Sequence, residues 1–326
     1  MWNLDINTSP NRPLRSTNTL LLALLIAGAL ALRLWGIGFG LPHEYHVDEV
    51  QYVRQAASLV ETRLEPVWWN NPPFYKYIYL VEYGVLFVIG RLGGSYSSVA
   101  DFASKNSLDP TLLYLLGRAT TAIFGTMTVA LAYWLGKTAY NQRVGLISAT
   151  MLGGAFIHVR DSHFAVNDIA ATFFVTLALA AAVRIFQSEE RKWYVLAGAA
   201  LGLAFATKYS AIFAVIPILV AHLYSPQVRW QPSPDLGFRR LLQASGVAAL
   251  AAIVASPYFL LTPAKVFRDA YEALYLAGRS GFEGWSIDPA GGYVFYLKTL
   301  IWGLGWPLSA MALLGLLVAV MRHWPR

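Results

Sequence analysis

The chain has 326 residues, of which 56% are hydrophobic, 13% are charged and none is cysteine. Soluble domains carry roughly 25% charged residues, so this composition excludes an ordinary soluble fold. The apolar residues come in long blocks, which excludes an alternating transmembrane β-barrel. The absence of cysteine excludes disulfides and cysteine-bound metals. The net charge is +7, and the basic residues lie at the ends of the apolar blocks. This placement indicates membrane topology rather than a nucleic-acid partner.

The apolar blocks predict an all-α polytopic membrane protein that forms a single domain over residues 1–326. The first block follows two arginines, as in a signal peptide, but no cleavage-site pattern comes after it. We therefore expect a retained first span. The blocks cover residues 19–40, 74–92, 112–136, 144–159, 166–186, 193–207, 209–224, 241–261 and 299–320.

The block 74–92 decides the topology. It carries Lys76, Glu82 and Arg91 together with four tyrosines, a composition that suits the headgroup layer of a membrane. If this block lies in the interface, every basic turn falls on one side, and the positive-inside rule predicts about eight spans with cytoplasmic termini. The predicted order is a first span at 19–40, a first outer loop with interfacial helices at 41–111, spans two to seven within 112–261, a last outer loop at 262–298 and a last span at 299–320. In the last outer loop we expect a surface helix followed by a glycine-rich loop at 278–292.

The first outer loop opens with the tripeptide Val47-Asp48-Glu49, directly after the first span. Asp48 can simply cap the helix that follows. Capping does not explain the cluster of His43, Glu44 and His46 just upstream. An acidic and imidazole-rich patch suits a general base or a divalent cation, for which His46, Asp48 and Asp168 are the candidate ligands.

A second polar cluster runs from His158 to His163 and continues to Asp168, where a new apolar block begins. A capped helix beside a solvated turn is one interpretation. The density of ionisable groups, and an outer side shared with Asp48, favour a functional site that uses Arg160, His163 and Asp168.

Lys208 lies between two apolar blocks that are joined by almost no turn. Its ammonium can extend to the interface without binding anything, but its position also suits an anionic headgroup. Lys76 and Arg268 are weaker candidates for the same role, since each is more simply explained as a solvated charge.

These landmarks in their order resemble the GT-C glycosyltransferases that use a carrier lipid, in the branch that holds protein O-mannosyltransferases and the lipid A aminoarabinose transferase. The landmarks are Val47-Asp48-Glu49, Asn71-Pro72-Pro73, Arg160-Asp161-Ser162-His163-Phe164 with Asp168, and Thr207-Lys208. The resemblance implies a GT-C fold and transfer of a sugar, with inversion, from a polyprenyl-phosphate carrier to a protein, glycan or lipid acceptor. It also implies an active site on the outer face of a prokaryotic plasma membrane.

The resemblance also implies roles for single residues. Asp48 is the expected base with Glu49 beside it, and Asp168 is the acid of the second outer loop. Lys208 and Arg160 are expected to stabilise the leaving phosphate, while Asp168 or His163 orients the acceptor.

The chain departs from this family pattern at two points. Asn71 stands where aminoarabinose-transferase relatives often have lysine, so we expect Lys76 to substitute for the missing phosphate contact. Relatives are commonly longer, so we expect either a short form or a chain that needs a partner subunit in the membrane.

Two other classes of function stay open. A transporter would use the same charges for ion coupling, but it should show inverted repeats and charges within its spans. A non-catalytic membrane subunit of a glycan pathway would fit the short length, but it fits the acidic pair less well.

Overall fold

The computed structural model describes residues 12–43, 45–188, 190–225, 234–280 and 292–323, and these residues form helices and connecting segments without a strand. The predicted all-α class is therefore confirmed for the described part of the chain. In chain order the elements are α1 (Arg12–Leu34), α2 (Val47–Ser58), α3 (Phe74–Leu92), α4 (Val99–Leu108), α5 (Thr111–Ala139), α6 (Gln142–Gly154), α7 (Phe156–Asp161), α8 (Asp168–Ser188), α9 (Arg191–Thr207), a 3-10 helix (Tyr209–Ala214), α10 (Val215–Tyr224), α11 (Pro234–Ala255), α12 (Tyr258–Leu261), α13 (Pro263–Ser280) and α14 (Gly292–His323).

Several helices have the length and composition of membrane spans. Four stretches are long and apolar enough to cross a bilayer, namely Thr111–Ala139, Asp168–Ser188, Gly237–Ala255 and Val294–Val318. Two shorter apolar stretches are Thr19–Leu34 and Tyr209–Tyr224. The protein is an integral membrane protein, and the total of about eight spans stays a prediction.

The bundle is held together by close contacts between small residues. On α9, a Cβ atom at Gly198 or Gly202 would overlap the carbonyl oxygens of Ala244 or Ala248 on α11. Glycine at these positions therefore lets the two backbones approach, which is how helices associate in the absence of a strong hydrophobic driving force between them.

The described helix ends form two separate groups of contacts, one at each end of the bundle. At one end the pairs are Gln187–Thr138, Arg191–Gln243 and Tyr194–His222. At the other end they are Arg118–Glu49, Lys208–Asp168 and Lys265–Glu65. The first group joins turns that the sequence predicts to be cytoplasmic, and the second joins turns that it predicts to be outer. The two predicted sets of turns therefore lie at different ends of the bundle. Which end faces the cytoplasm stays a prediction, and we call the second group the outer end.

Helix α3 runs antiparallel to the outer part of α5. The Tyr75 hydroxyl lies 2.6 Å from Thr121 Oγ1, and the Tyr79 hydroxyl donates to Gly117 O at 3.3 Å. Thr121 is about 15 Å along α5, which is about 43 Å long at 1.5 Å per residue. Helix α3 therefore moves back toward the outer end along its length, and the interfacial placement of block 74–92 stays a prediction.

Two predicted spans are interrupted. The block 144–159 breaks at Ala155, which leaves helical geometry (φ −65°, ψ 118°) after two glycines and so separates α6 from α7. The last helix begins at Gly292, earlier than predicted, and Gly305 interrupts it with φ 76°, two residues before Pro307. Most of the glycine-rich loop expected at 278–292 lies outside the described residues, as does Glu44.

Candidate active site

Asp48 lies in the first turn of α2 with its side chain exposed. The helix is capped by His46, whose Nδ1 accepts from the Asp48 backbone N–H at 3.3 Å. The His46 ring also contacts the Phe164 ring, with centroids 4.6 Å apart. Helix capping therefore does not explain Asp48, and its carboxylate is available for chemistry.

Glu49 is placed differently from Asp48. Its carboxylate is fully buried and accepts two hydrogen bonds of 2.8 Å from Arg118 on α5 and a third of 2.6 Å from the Ala165 backbone N–H. Arg118 also donates to the carbonyl oxygens of Ile37 and Phe39, at 2.8 and 2.9 Å. Sequence analysis expected Glu49 to act beside the base. Its geometry instead fits a positioning role. The ion pair fixes α2 against α5, against the segment that holds Ile37 and Phe39, and against the segment that holds Ala165.

Asp168 begins α8 and forms an ion pair with Lys208, which follows α9. Both side chains are roughly half-exposed. The adjacent Asn167 donates through Nδ2 to Thr207 O at 2.6 Å, so the two helix ends are joined twice. The sequence predicted only that these two clusters share the outer side, and the structure joins them directly.

The Tyr52 hydroxyl on α2 is influenced by the charges of both Asp48 and Asp168. Burial raises the pKa of its hydroxyl well above the ordinary value, and the charges of Asp168 and Asp48 raise it further. Both carboxylates therefore lie within electrostatic reach of one phenol on α2.

Lys76 is buried, and its ammonium donates to Gln55 Oε1 at 2.6 Å and to Trp68 O at 3.0 Å. It also lies 5.9 Å from the centre of the Tyr52 ring. Burial lowers the pKa of Lys76 to about 7. Within the described part of the chain no carboxylate pairs with it, so the protein holds a buried cation that lacks an anion.

Three buried hydrogen-bonding groups on α2 and on the segment before α3 have no partner among the described residues. They are the Tyr52 hydroxyl, Gln55 Nε2 and Trp69 Nε1. Unpartnered buried groups of this kind are rare in proteins and call for an explanation such as a ligand. All three can donate, so the set suits an oxygen-rich or anionic group.

The other two predicted basic or amide contacts lie near the site without bonding to it. Asn71 is half-buried in the segment between α2 and α3, and it precedes two buried prolines. Arg268 on α13 is exposed and pairs with its neighbour Asp269 at 2.8 Å.

Arg160 and His163 line a separate cavity of about 300 Å³ with Trp35 and Phe39. Arg160 pairs with Asp161 at 2.6 Å. The His163 ring nitrogens lie 2.8 and 2.9 Å from the carbonyl oxygens of Val159 and Trp35. Each ring nitrogen therefore lies within hydrogen-bonding distance of a backbone carbonyl oxygen, which fixes the orientation of the ring.

The predicted divalent cation has no complete ligand set in the described residues. No group of three or more His, Asp or Glu side chains there could hold a metal ion. His46 already uses Nδ1 as the helix cap. The cation therefore stays a prediction.

Sequence analysis missed Arg118 and Arg33, both fully buried. Arg33 donates to His158 Nδ1 at 2.9 Å and to Ala29 O at 2.9 Å. Each arginine interrupts an apolar block, and a charge inside a predicted span was the signal that could have found them.

Comparison with known proteins places this geometry in a family. The family model described as dolichyl-phosphate-mannose-protein mannosyltransferase matches residues 22–253, which include every residue of the outer-end site up to Lys208. The chain belongs to this family. The predicted relationship is thus confirmed.

A curated relative in Pseudomonas fluorescens is undecaprenyl phosphate-alpha-4-amino-4-deoxy-L-arabinose arabinosyl transferase 1. It is 33% identical over 144 residues, which are 43% of this chain and 25% of the relative. The chain therefore spans only about a quarter of that protein.

Solved structures show the same fold at low sequence identity. The protein O-mannosyltransferase Pmt1-Pmt2 complex of S. cerevisiae, bound to the sugar donor, matches with a TM-score of 0.57 and 22% identity over 82% of this chain and 38% of that chain. ArnT from Cupriavidus metallidurans, bound to undecaprenyl phosphate, matches with a TM-score of 0.57 and 18% identity over 92% and 51%. The Archaeoglobus fulgidus oligosaccharyltransferase has a TM-score of 0.52 and 16% identity over 95% and 39%.

Proposed function

We propose that this protein is a glycosyltransferase that moves a sugar from a polyprenyl-phosphate carrier to an acceptor on a protein, glycan or lipid. The observation that carries the proposal is that the start of α2, which holds Asp48, contacts the segment that leads to Asp168 and its partner Lys208 at one end of an apolar helix bundle. A carrier lipid needs such a position, because its tail stays in the bilayer while its phosphate and sugar reach water. Family membership and the related proteins point to the same chemistry.

The proposed reaction is a displacement at the anomeric carbon. An acceptor hydroxyl attacks from the face opposite the phosphate, and its proton passes to the Asp48 carboxylate. The bond between the anomeric carbon and the phosphate oxygen breaks, and the polyprenyl phosphate leaves with that electron pair. The configuration is therefore inverted.

Two lysines supply positive charge for the leaving phosphate. Lys208 is half-exposed beside the site, and its pairing with Asp168 holds the ammonium in place before the donor arrives. Lys76 adds a buried ammonium group near Gln55 and Tyr52, whose side chains each have an unpartnered hydrogen-bonding atom. Fixed charges at the point where negative charge develops are an effective source of transition-state stabilisation.

The acceptor is expected on the side of His46 and Phe164, beyond which lie Arg160 and His163. The hydrogen-bonding groups of Arg160 and His163 at that place favour an acceptor that carries many oxygens. We place this end of the bundle at the outer face of a prokaryotic plasma membrane, with both termini in the cytoplasm. A partner subunit in the membrane stays part of the proposal, since the similar Pmt1-Pmt2 protein is a complex.

Purified protein in liposomes supplied with polyprenyl-phosphate sugars tests the proposal. We expect free polyprenyl phosphate to appear in amounts equal to the sugar transferred, as measured by mass spectrometry. Movement of intact donor between leaflets would indicate a transporter instead. An unchanged donor, both alone and with membrane extract added, would indicate a non-catalytic subunit.

A further inference from the structure

A second cavity lies in the outer loop, on the side of α2 that faces away from the candidate active site. It has a volume of about 610 Å³ and lies between α2, α3 and α4. This volume is within the range of small-molecule sites. Helix α4 leaves the gap because it reaches α3 mainly through the contact between Phe102 and Phe87, whose ring centroids are 5.8 Å apart.

The wall of this groove is almost entirely apolar. Its main side chains are Val53, Ala57, Leu80, Phe87, Phe102 and Leu113. Charged groups occur only on the α2 edge, at Arg54 and Glu61. An open apolar surface of this size is unfavourable in water and marks a place where something apolar binds.

Tyr83 also lines the wall. It is only 3% exposed, and its hydroxyl is buried and has no hydrogen-bond partner among the described residues. The groove therefore suits a ligand that is mainly hydrocarbon.

The bilayer can reach this groove. The outward face of α3 exposes an apolar stripe at helical spacing, made of Val81, Val85, Val88, Ile89 and Leu92. Such a stripe on a surface helix is typical of contact with lipid. The groove therefore opens beside a helix that itself contacts the membrane.

Helix α2 separates the groove from the donor. Asp48 and Tyr52 lie on one face of α2, whereas Ala57, nine residues after Asp48, lies on the opposite face at 100° per residue. A donor whose sugar is held at Asp48 would thus have to pass around the helix to fill the groove. From these observations we propose that the groove binds an acyl chain of a membrane phospholipid, with the headgroup at the Arg54 and Glu61 edge.

An acyl chain in the groove would pack against the face of α2 that carries Ala57. Glu49 and Arg118 anchor the first turn of the helix, so the lipid adds contacts farther along α2 that help to fix the position of Asp48. The inference concerns a separate site and holds whether or not the protein transfers sugars.

A phospholipid with a photoreactive acyl chain tests the proposal on the full chain in detergent micelles. We expect crosslinks on residues 80–87 and 99–107, the walls of the groove. The variant Gly84→Trp should lower this labelling on the order of tenfold, equivalent to 1.4 kcal/mol of lost affinity. No heavy atom lies within 4 Å of the Cβ position at Gly84, so tryptophan fills the groove without a clash at its base.

Gly84→Ala is the matched control and should label like the wild type. If Gly84→Trp does not fold, Ala103→Phe on α4 fills the same groove from its other wall. Crosslinks in the wild type that fall only on the outward stripe of α3 or on the spans would overturn the proposal. Labelling of the groove by a photoreactive polyprenyl phosphate, with none by the phospholipid, would also overturn it.

Discussion

At the scale of single residues, the adjacent acids Asp48 and Glu49 lie in different surroundings. Asp48 is exposed beside Asp168 and Tyr52, whereas Glu49 is buried under Arg118. The sequence showed where the pair lies relative to the first span. It did not show that one acid is exposed and the other is buried. Which of two neighbours points inward depends on the position of α5, and Arg118 is 69 residues away.

The Glu49 and Arg118 pair should matter for folding more than for chemistry. Replacing Arg118 with Ala leaves a buried, unpaired carboxylate, which costs about 3–5 kcal/mol. We expect a marked fall in melting temperature in micelles. The control Arg160→Ala removes an exposed arginine from the same end of the bundle and should change stability little. Equal losses in the two variants would contradict the structural role of the pair.

Lys76 should make stability depend on pH. Its pKa is lowered to about 7 in the folded protein by burial, whereas an unfolded lysine titrates near 10.4. Between these values the unfolded chain binds more protons, so stability should rise as the pH increases from 7 to about 10. Lys76→Met should remove this rise, as measured by melting temperature, and the exposed control Lys105→Met should keep it. An equal pH slope in wild type and Lys76→Met would refute the assignment.

At the scale of helices, periodicity and composition predicted most elements, including α2, α3 and the surface helix α13. The breaks at Ala155 and Gly305 were not predicted. Apolar composition is the same on both sides of each break, and the breaks depend on tertiary contacts. Gly303, for example, packs closely against Ile157 on α7.

The contact between α9 and α11 gives a prediction at this scale. Gly202→Val should destabilise the bundle, because its Cβ would overlap Ala248 O and the backbones would have to separate. The cost is expected to be about 1–3 kcal/mol or more. Gly246→Ala is the control on α11, since the space around that position is open. A melting temperature that falls equally in both variants would count against the close contact.

At the scale of the whole molecule, charge distribution along the chain was sufficient to group the turns into two sets, and the structure keeps those sets at opposite ends of the bundle. Neither the charge distribution nor the structure determines the number of spans. Helix α6 has 13 residues, about 20 Å, and is too short to cross a hydrocarbon core of about 30 Å alone.

The topology can be tested by labelling, because the chain has no cysteine of its own. Single cysteines at Lys105 and Arg160 should both react with an impermeant reagent applied from outside intact cells. A cysteine at Arg191 should react only after the membrane is opened. Protection of the Lys105 position in intact cells would mean that block 74–92 crosses the membrane.

The most direct test of the central claim is sugar transfer by Asp48→Asn. Asparagine keeps the shape of the side chain but cannot accept the proton, so we predict a loss of roughly 10²–10⁴-fold in the release of polyprenyl phosphate in liposomes. The control Asp101→Asn changes another outer-loop acid, paired with Lys105 at 3.0 Å, and should stay near wild-type activity. Near-normal release by a correctly folded Asp48→Asn protein would contradict the assignment of Asp48 as the base.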